Sequence, residues 1–111
     1  MEIYCGSQKM KKLCDRADVM KKELGNEMAD KLQQRLVLLK RTPTLAGIPA
    51  TPPPHCHELV KNRKWQFAVD LKYPYRLIFI PANRPIPVDM DGGIDLTRVT
   101  EIEILEIVDY H

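Results

Sequence analysis

The chain ends on Val108-Asp109-Tyr110-His111, which places a carboxylate, a phenol and an imidazole side by side in the sequence. Groups of these types exchange protons or orient one another near neutral pH, so together they can serve acid–base chemistry. A run rich in Ile, Val and Leu from Thr100 to Val108 precedes them and predicts a β-strand. We therefore expect this strand to deliver these side chains, with the terminal carboxylate, to one edge of a sheet.

A second group of titratable residues surrounds His57, in the segment His55-Cys56-His57-Glu58-Leu59. Three basic residues and a tryptophan follow that segment: Lys61, Arg63, Lys64 and Trp65. A histidine titrates near neutral pH and basic side chains contact phosphates, so this pattern predicts a phosphate-binding approach beside a proton-transfer group. Taken alone, His57 fits a loop histidine without a chemical role better than a proton-transfer group, and His55 is the weaker candidate of the two.

Arg76 is the one charged residue in an otherwise apolar run from Tyr75 to Ile80, which predicts a strand. An unpaired guanidinium is costly to bury, so this side chain must meet a partner or an open face of the sheet. Two interpretations follow. One is an ion pair with Asp70 or with an acid on the last strand, and the other is a clamp on a phosphate, which the planar guanidinium suits.

The spacing of the residues does not support other common sites. The donors available for a zinc site lack a recognisable ligand pair: His55, Cys56, His57 and His111. The sequence also has no glycine-rich phosphate loop, no nucleophile elbow and no dinucleotide-binding fingerprint. We therefore expect neither a metal nor a cofactor.

Length and composition predict one globular domain over residues 1–111. An apolar fraction of 44% and a charged fraction of 29% are typical of a soluble protein. No run approaches the roughly 18 apolar residues of a membrane span. The N-terminal segment lacks the pattern of a signal peptide and the three cysteines lack framework spacing, which favours a reduced cytoplasmic protein.

The net charge of +2 conceals an asymmetry along the chain. Basic residues outnumber acidic ones up to Arg84, whereas Arg98 is the only cation from Pro85 onward, against seven acidic residues. A basic body with an acidic edge can bind a polyanion on one side and a different partner on the other. A mixed solvated surface explains the same counts.

Two amphipathic helices are predicted in the first 41 residues, after a short strand at 2–5. Ser7 is a suitable N-cap for the first helix, Gly25 a suitable C-terminal cap, and Asn26 a suitable N-cap for the second. The apolar stripes are Met10, Leu13, Cys14, Ala17 and Met20 in the first helix and Met28, Leu32, Leu36 and Leu39 in the second. The predicted outer face of the second helix is Lys31, Gln33, Gln34, Arg35, Lys40 and Arg41. Its full apolar stripe commits the second helix to the core, which argues against a helix-turn-helix that binds DNA.

The second half of the chain predicts a sheet, after a proline-rich break at 42–54. Its three strands run from Trp65 to Leu71, from Tyr75 to Ile80 and from Thr100 to Val108. In the last strand the apolar positions change face at Leu105, so either both faces are covered there or a β-bulge shifts the phase. The order β-α-α-β-β-β predicts an α+β fold in which two N-terminal helices pack on a small, mainly antiparallel sheet.

Short motifs spread over nearly the whole chain belong together: His57-Glu58-Leu59, the basic run to Trp65, Phe67-Ala68-Val69, Tyr75-Arg76-Leu77-Ile78-Phe79 and Glu106-Ile107-Val108-Asp109-Tyr110-His111. With the helical pair and the strand order, they resemble the HigB-type toxins of the RelE/ParE superfamily of bacterial toxin–antitoxin modules. The resemblance implies a RelE-like fold. It also implies a small, metal-independent endoribonuclease that enters the ribosomal A site and cuts messenger RNA during translation.

The resemblance further implies roles for individual residues and a set of partners. The implied active site is His57, Asp109, Tyr110 and His111. The implied ligands of the scissile phosphate and nearby ribosomal RNA are Arg76 with Lys61, Arg63 and Lys64. The implied partners are a cognate helix-turn-helix antitoxin, the bacterial ribosome and its mRNA, with no membrane and with DNA met only indirectly through the antitoxin. Two features depart from the family: residues 61–64 lack the usual glycine, and the connection from Pro81 to Leu96 is long and acidic.

RNA cleavage by an attack of its own 2′-hydroxyl on the adjacent phosphate fits these residue types. The protein must supply a base for the 2′-hydroxyl, cations for the developing charge and an acid for the departing 5′-oxygen. His57 and His111 are the candidates for proton transfer, in either order. Asp109 would orient a histidine, and Tyr110 would hydrogen-bond the phosphate or contact a base. The main alternative is a non-enzymatic interaction module of the same fold that binds a partner other than mRNA.

Overall fold

The computed structural model of the chain describes residues 1–60 and 63–109. This part of the chain is an α+β structure with three helices and a five-stranded, mostly antiparallel sheet. In chain order the elements are β1 (Glu2–Cys5), α1 (Gln8–Asp15), α2 (Ala17–Leu24), α3 (Asn26–Arg41), β2 (His57–Glu58), β3 (Phe67–Asp70), β4 (Tyr75–Pro81) and β5 (Glu101–Asp109). Within these ranges, each helix is too short or too polar to span a bilayer.

The strands are arranged in the order β1-β5-β4-β3-β2, with β1 parallel to β5 and every other pair antiparallel. Apolar residues of the three helices form the main core with one face of the sheet, where Leu77 and Phe79 are fully buried. We call the opposite face, which carries Ala68, Ile78 and Glu106 in one row, the open face. The predicted class, α+β with a mainly antiparallel sheet, is therefore confirmed.

The predicted order β-α-α-β-β-β is wrong because the sheet has an additional strand. This strand, β2, consists only of His57 and Glu58, which pair with β3. Two residues are too few to show an alternating pattern in a sequence. The next strand also begins later than predicted, at Phe67, because Trp65 has a φ of 66° and is not extended.

The predicted order is also wrong in the number of helices, because the first one is broken at Arg16. This residue is extended, with φ −121° and ψ 112°, and it ends α1 and precedes α2. Its guanidinium lies 2.9 Å from the carboxylate of Asp18 in the first turn of α2. Next to this break, Ala17 is exposed instead of lying on the apolar stripe, while Met20 is buried.

Helix α3 buries most of its predicted stripe, and it also buries Arg35, which the sequence assigns to its outer face. The Nε of Arg35 donates a hydrogen bond of 2.6 Å to the backbone carbonyl of Asp70 at the end of β3. A buried guanidinium needs such an acceptor. The assignment of Arg35 to the outer face is wrong because this acceptor lies on another element, where helical periodicity cannot reveal it.

A β-bulge interrupts β5, as one of the two interpretations of its sequence predicts. Ile78 pairs with Glu106 and Phe79 pairs with Ile104, which leaves Leu105 as the extra residue on β5. As a result, Ile104 and Ile107 both contact the main core, whereas Leu105 and Val108 pack against a small cluster on the open face. That cluster is Leu59, Ala68 and Ile78, so Ala68 is buried although the alternation places it on the polar face of its strand.

Candidate functional site

His57 is held in one orientation on β2 by a backbone hydrogen bond and by a neighbouring ring. Its Nδ1 lies 2.9 Å from the carbonyl oxygen of His55, and the two imidazole rings stack with centroids 4.4 Å apart. A carbonyl oxygen only accepts hydrogen bonds, so Nδ1 must carry the proton in this contact. In the neutral ring, Nε2 is then the atom that can accept a proton, which is the requirement for a general base.

A chain of contacts connects His57 across β2, β3 and β4 to Arg76. The Nδ1 of His55 lies 3.3 Å from one carboxylate oxygen of Asp70, and the Nε of Arg76 donates to the other at 3.1 Å. The ion pair of Arg76 with Asp70, one of the two interpretations of its sequence, is therefore confirmed, and the phosphate clamp stays a prediction. Within the described ranges the guanidinium of Arg76 bonds Asp70 through Nε, which leaves its two terminal nitrogens for a further acceptor.

The backbone at His55 is part of the same arrangement. His55 has a φ of 57°, in the left-handed region that non-glycine residues rarely adopt, although histidine tolerates it better than most. Such a conformation costs on the order of 1–3 kcal/mol and persists only where neighbouring contacts stabilise it. Here the amide of Asp70 donates to the carbonyl of Pro54 at 2.8 Å, which ties the loop before β2 to the end of β3.

Arg63 is also held against the open face of the sheet. Its Nη1 donates to the side-chain oxygen of Gln66 at 3.0 Å and its Nη2 to Glu106 at 3.3 Å. Because Glu106 shares a row with Ile78, Ala68 and therefore His57, the structure brings Arg63 and His57 to the same face. The ammonium of Lys64 instead lies 4.9 Å above the ring of Trp65 in a cation–π contact.

Asp109, the last residue of β5, is not brought close to His57. It is exposed and pairs with Tyr75, on the same side of the sheet as Ile107 and opposite to Glu106. His57 on β2 and Glu106 on β5 lie at the two ends of one row, three strand spacings or about 14 Å apart, and Asp109 lies further along β5. The remaining predicted site residues, Lys61, Tyr110 and His111, lie outside the described residues.

Cys56 lies between the two histidines but is not an activated nucleophile. Burial raises the pKa of its thiol to about 11, so it is protonated near neutral pH, whereas the thiolate is the reactive form. Within residues 1–60 and 63–109, no group of three or more His, Cys, Asp or Glu side chains is arranged to hold a metal ion.

Sequence reasoning missed the role of His55 and assigned Asp70 only as one possible partner of Arg76. A signal for the second contact is present in the sequence, because Asp70 and Arg76 are equally far from the turn between β3 and β4. Residues at equal distance from a hairpin turn face each other, and these two are paired in the register. The contact of His55 depends on its left-handed backbone, which no pattern in the sequence predicts.

Comparison with known proteins gives no match to this chain among protein-family models, curated proteins or solved structures. A proposal for its function therefore depends on its own side chains and on the motifs of its sequence.

Proposed function

We propose that this chain is a HigB-type toxin of the RelE/ParE superfamily with a RelE-like fold, a ribosome-dependent endoribonuclease that cleaves translated mRNA. The observation that carries the proposal is the open face of the sheet. It holds His57 with Nε2 as its acceptor, in contact through His55 and Asp70 with Arg76, and with Arg63 on the same face. A proton-transfer group that shares a sheet face with two guanidinium groups supplies the base and the cations that metal-independent cleavage of RNA needs.

The proposed reaction uses the RNA itself as the nucleophile. Nε2 of neutral His57 takes the proton of the 2′-hydroxyl, and the 2′-oxygen forms a bond to the adjacent phosphorus. The bond from phosphorus to the 5′-oxygen breaks, and an acid at the C-terminal end of the site, for which His111 is the candidate, protonates that oxygen. The products are a 2′,3′-cyclic phosphate and a free 5′-hydroxyl. Each positioned acid or base contributes about 10²–10⁴-fold to the rate.

The cations of the site would bind the phosphate whose charge increases in the transition state. Arg76 offers its two terminal nitrogens as a planar pair of donors, a geometry that matches two phosphate oxygens. Arg63 would contact the phosphate from the same face, with Lys61 and Lys64 beside it in the sequence. Asp109 and Tyr110 complete the proposed site, Asp109 by orienting a histidine and Tyr110 by contacting the phosphate or a base.

The proposed setting is the bacterial cytoplasm, where the chain inhibits translation as the toxin of a type II module. Its proposed partners are the ribosome with its mRNA and a cognate helix-turn-helix antitoxin, through which alone it meets DNA. The proposed reaction needs no cofactor. An adjacent reading frame that encodes a small helix-turn-helix protein would support the module without establishing RNA cleavage.

The test is primer extension on mRNA, free or translated in a reconstituted bacterial system, with the purified chain and with His57→Asn. The asparagine amide keeps a donor near the position of Nδ1 for the His55 carbonyl but cannot take up a proton, so the fold should persist while cleavage is lost. Lys22→Ala, an exposed lysine on α2, is the matched control and should cleave normally. We expect cuts that appear only during translation and disappear in His57→Asn.

Other results would change the proposal. Cuts in free RNA as well would keep the nuclease and remove the ribosome from its mechanism. Full cleavage by folded His57→Asn would contradict the site assignment. No cleavage by the folded wild-type chain would contradict the nuclease itself.

The second candidate function is a non-enzymatic interaction module, and one observation favours it. Both arginines of the open face contact a carboxylate, Arg76 with Asp70 and Arg63 with Glu106, so the face also has the balanced charges of a protein-binding surface. Such a module should keep its cellular effect in His57→Asn and lose it when Arg63 is replaced by glutamate. The nuclease should lose its effect in both variants.

A further inference from the structure

Two tyrosines are exposed at the tip of the hairpin that joins β3 and β4. Tyr73 exposes 83% of its surface and Tyr75 exposes 41%. The turn that presents them is closed by a hydrogen bond of 2.8 Å from the amide of Tyr75 to the carbonyl of Lys72. Exposed aromatic rings on a defined backbone are the usual platform on which proteins stack unpaired bases of single-stranded nucleic acid.

The position of Tyr75 places this pair at the end of the sheet where the predicted C-terminal site begins. Tyr75 pairs with Asp109 in the register of β4 and β5. It also lines two adjoining cavities. One, of about 710 Å³, is bounded by Lys9 and Lys12 of α1 and by Ile107, and the other, of about 470 Å³, contains Tyr73 and Lys72. Tyr75 therefore lies between two cavities and pairs with the last residue of β5.

The groups around the tyrosines suit a nucleotide chain. Lys9 and Lys12 are exposed cations on one side. On the other side, Lys72 contacts Glu27 at 2.9 Å, and both side chains are at least half exposed. An exposed pair of this kind contributes little to stability, so a phosphate can replace the carboxylate as the partner of Lys72 at small cost. The apolar wall formed by Leu24 and Met28 fits the faces of bases rather than their hydrogen-bonding edges.

We propose that Tyr73 and Tyr75 are a stacking platform for the unpaired bases of single-stranded RNA beside the end of β5. Tyr75 shares a row with Asp109, on the side of the sheet opposite Arg76, so the stacked bases would lie around the end of the sheet from the phosphate that Arg76 holds. This inference rests on the proposed function, since it takes RNA as the substrate and the end of β5 as part of the catalytic site. The two tyrosines are positioning residues in it. They hold the RNA in register with the site but exchange no proton with it.

The experiment measures binding without cleavage. The probe is a fluorescent single-stranded oligoribonucleotide that is 2′-O-methylated throughout, so it has no 2′-hydroxyl to attack the phosphate. Loss of one stacked base weakens binding roughly 5- to 100-fold, so Tyr75→Ala and Tyr73→Ala should each raise the Kd by a factor in that range. Tyr75→Phe keeps the ring and should bind like the wild type. Tyr4→Ala removes a tyrosine that is 50% exposed on the edge strand β1, which β5 separates from β4, and should also bind like the wild type.

The outcomes separate this inference from the proposed nuclease. Unchanged Kd values in both alanine variants would overturn the platform, even if the chain cleaves translated mRNA. No binding of the oligonucleotide by the wild-type chain at low salt would overturn it too and would mark the tyrosines as a protein-binding surface. Tyrosine-dependent binding by a chain that cuts no RNA would support the platform and refute only the nuclease. If Tyr75→Ala fails to fold, Tyr73→Ala decides, because Tyr73 is the more exposed of the two.

Discussion

The hydrogen bond from Nδ1 of His57 to the carbonyl of His55 decides which nitrogen of the ring can exchange a proton with a substrate. Many proton-transfer histidines are oriented by a carboxylate, and the sequence offers Asp109 for that role. In the structure a backbone carbonyl holds His57 instead, and Asp109 lies on the other side of the sheet. In the proposed mechanism, Asp109 is therefore left to orient a group at its own end of the site rather than His57.

A lysine at position 76 separates the two contributions of Arg76, its positive charge and the planar geometry of its guanidinium. Arg76→Lys keeps the positive charge beside Asp70 but replaces the planar pair of donors with a single ammonium group. Loss of one preorganised donor to a developing oxyanion typically costs about 10²–10³-fold in rate. We expect cleavage in the translation system to fall by about 10²-fold, while the free energy of unfolding in urea changes by less than about 1 kcal/mol, as for other partly exposed ion pairs.

The control for this variant is Arg98→Lys, because Arg98 also contacts an aspartate, Asp95, through its Nε at 3.0 Å but lies far along the chain from the site. Its cleavage rate should equal that of the wild type. Wild-type cleavage by Arg76→Lys would mean that the charge alone matters and would contradict the phosphate clamp.

Strands whose residues form a recognisable apolar pattern could be predicted from the sequence. Features of one or two residues, and features that depend on pairing with another strand, could not. Strands β1, β4 and β5 lie within about one residue of their predicted ends, because their apolar, β-branched and aromatic residues favour strands. The break at Arg16 and the strand β2 are each one or two residues long, so neither changes a periodic pattern enough to be seen. The bulge at Leu105 was one of two interpretations, since only the pairing partner on β4 can show which residue is extra.

The candidate site divides in the same way. The residue types at His57, Arg63 and Arg76 predict proton transfer and phosphate contact, and the structure places all three on the open face. The contacts that join His57 to Arg76 run through His55 and Asp70, which depend on a left-handed backbone and on the pairing of a hairpin. Such links arise only when separate elements meet in three dimensions, so local sequence cannot predict them.

Helix α3 supports the site through Arg35, so replacing Arg35 should affect both the stability of the protein and its cleavage of RNA. Arg35 is buried, and its Nε bonds the carbonyl of Asp70, the residue that also contacts His55 and Arg76. Arg35→Ala leaves that carbonyl without its donor and removes the packing of a long side chain, so we expect a loss of about 2–3 kcal/mol in the free energy of unfolding in urea. Cleavage should also fall, because Asp70 loses one of its supports.

The matched control is Gln34→Ala, the exposed neighbour of Arg35 on the same helix, which should change stability by less than about 0.5 kcal/mol. An Arg35→Ala variant that is as stable as Gln34→Ala would show that the hydrogen bond to Asp70 contributes nothing to holding α3 on the sheet.

At the scale of the whole molecule, two carboxylates of the acidic connection from Pro81 to Leu96 accept hydrogen bonds that fix its local conformation. One carboxylate oxygen of Asp89 accepts hydrogen bonds from the amides of Asp91 and Gly93, at 2.9 and 3.0 Å. Hydrogen bonds from Thr97 and Arg98 lower the pKa of Asp95, so these contacts favour its ionised form. These acids therefore organise the connection as well as giving it a negative charge, and any RNA must be attracted by cations elsewhere.

The salt dependence of RNA binding measures how many cations of the protein neutralise phosphates of the RNA. Each phosphate neutralised on a single strand contributes about −0.7 to the slope of log K against log salt concentration. If Arg63, Arg76, Lys61 and Lys64 each neutralise one phosphate, these four cations together should contribute about −3 to the slope for the 2′-O-methylated oligonucleotide. Arg76→Ala should make it shallower by about 0.7, whereas Lys22→Ala, an exposed lysine outside the site, should leave it unchanged.

Tyr73→Ala should weaken binding equally at every salt concentration, since stacking releases no counterions. An equal loss of slope in Arg76→Ala and Lys22→Ala would mean that the RNA is held by the general charge of the molecule and not at the open face.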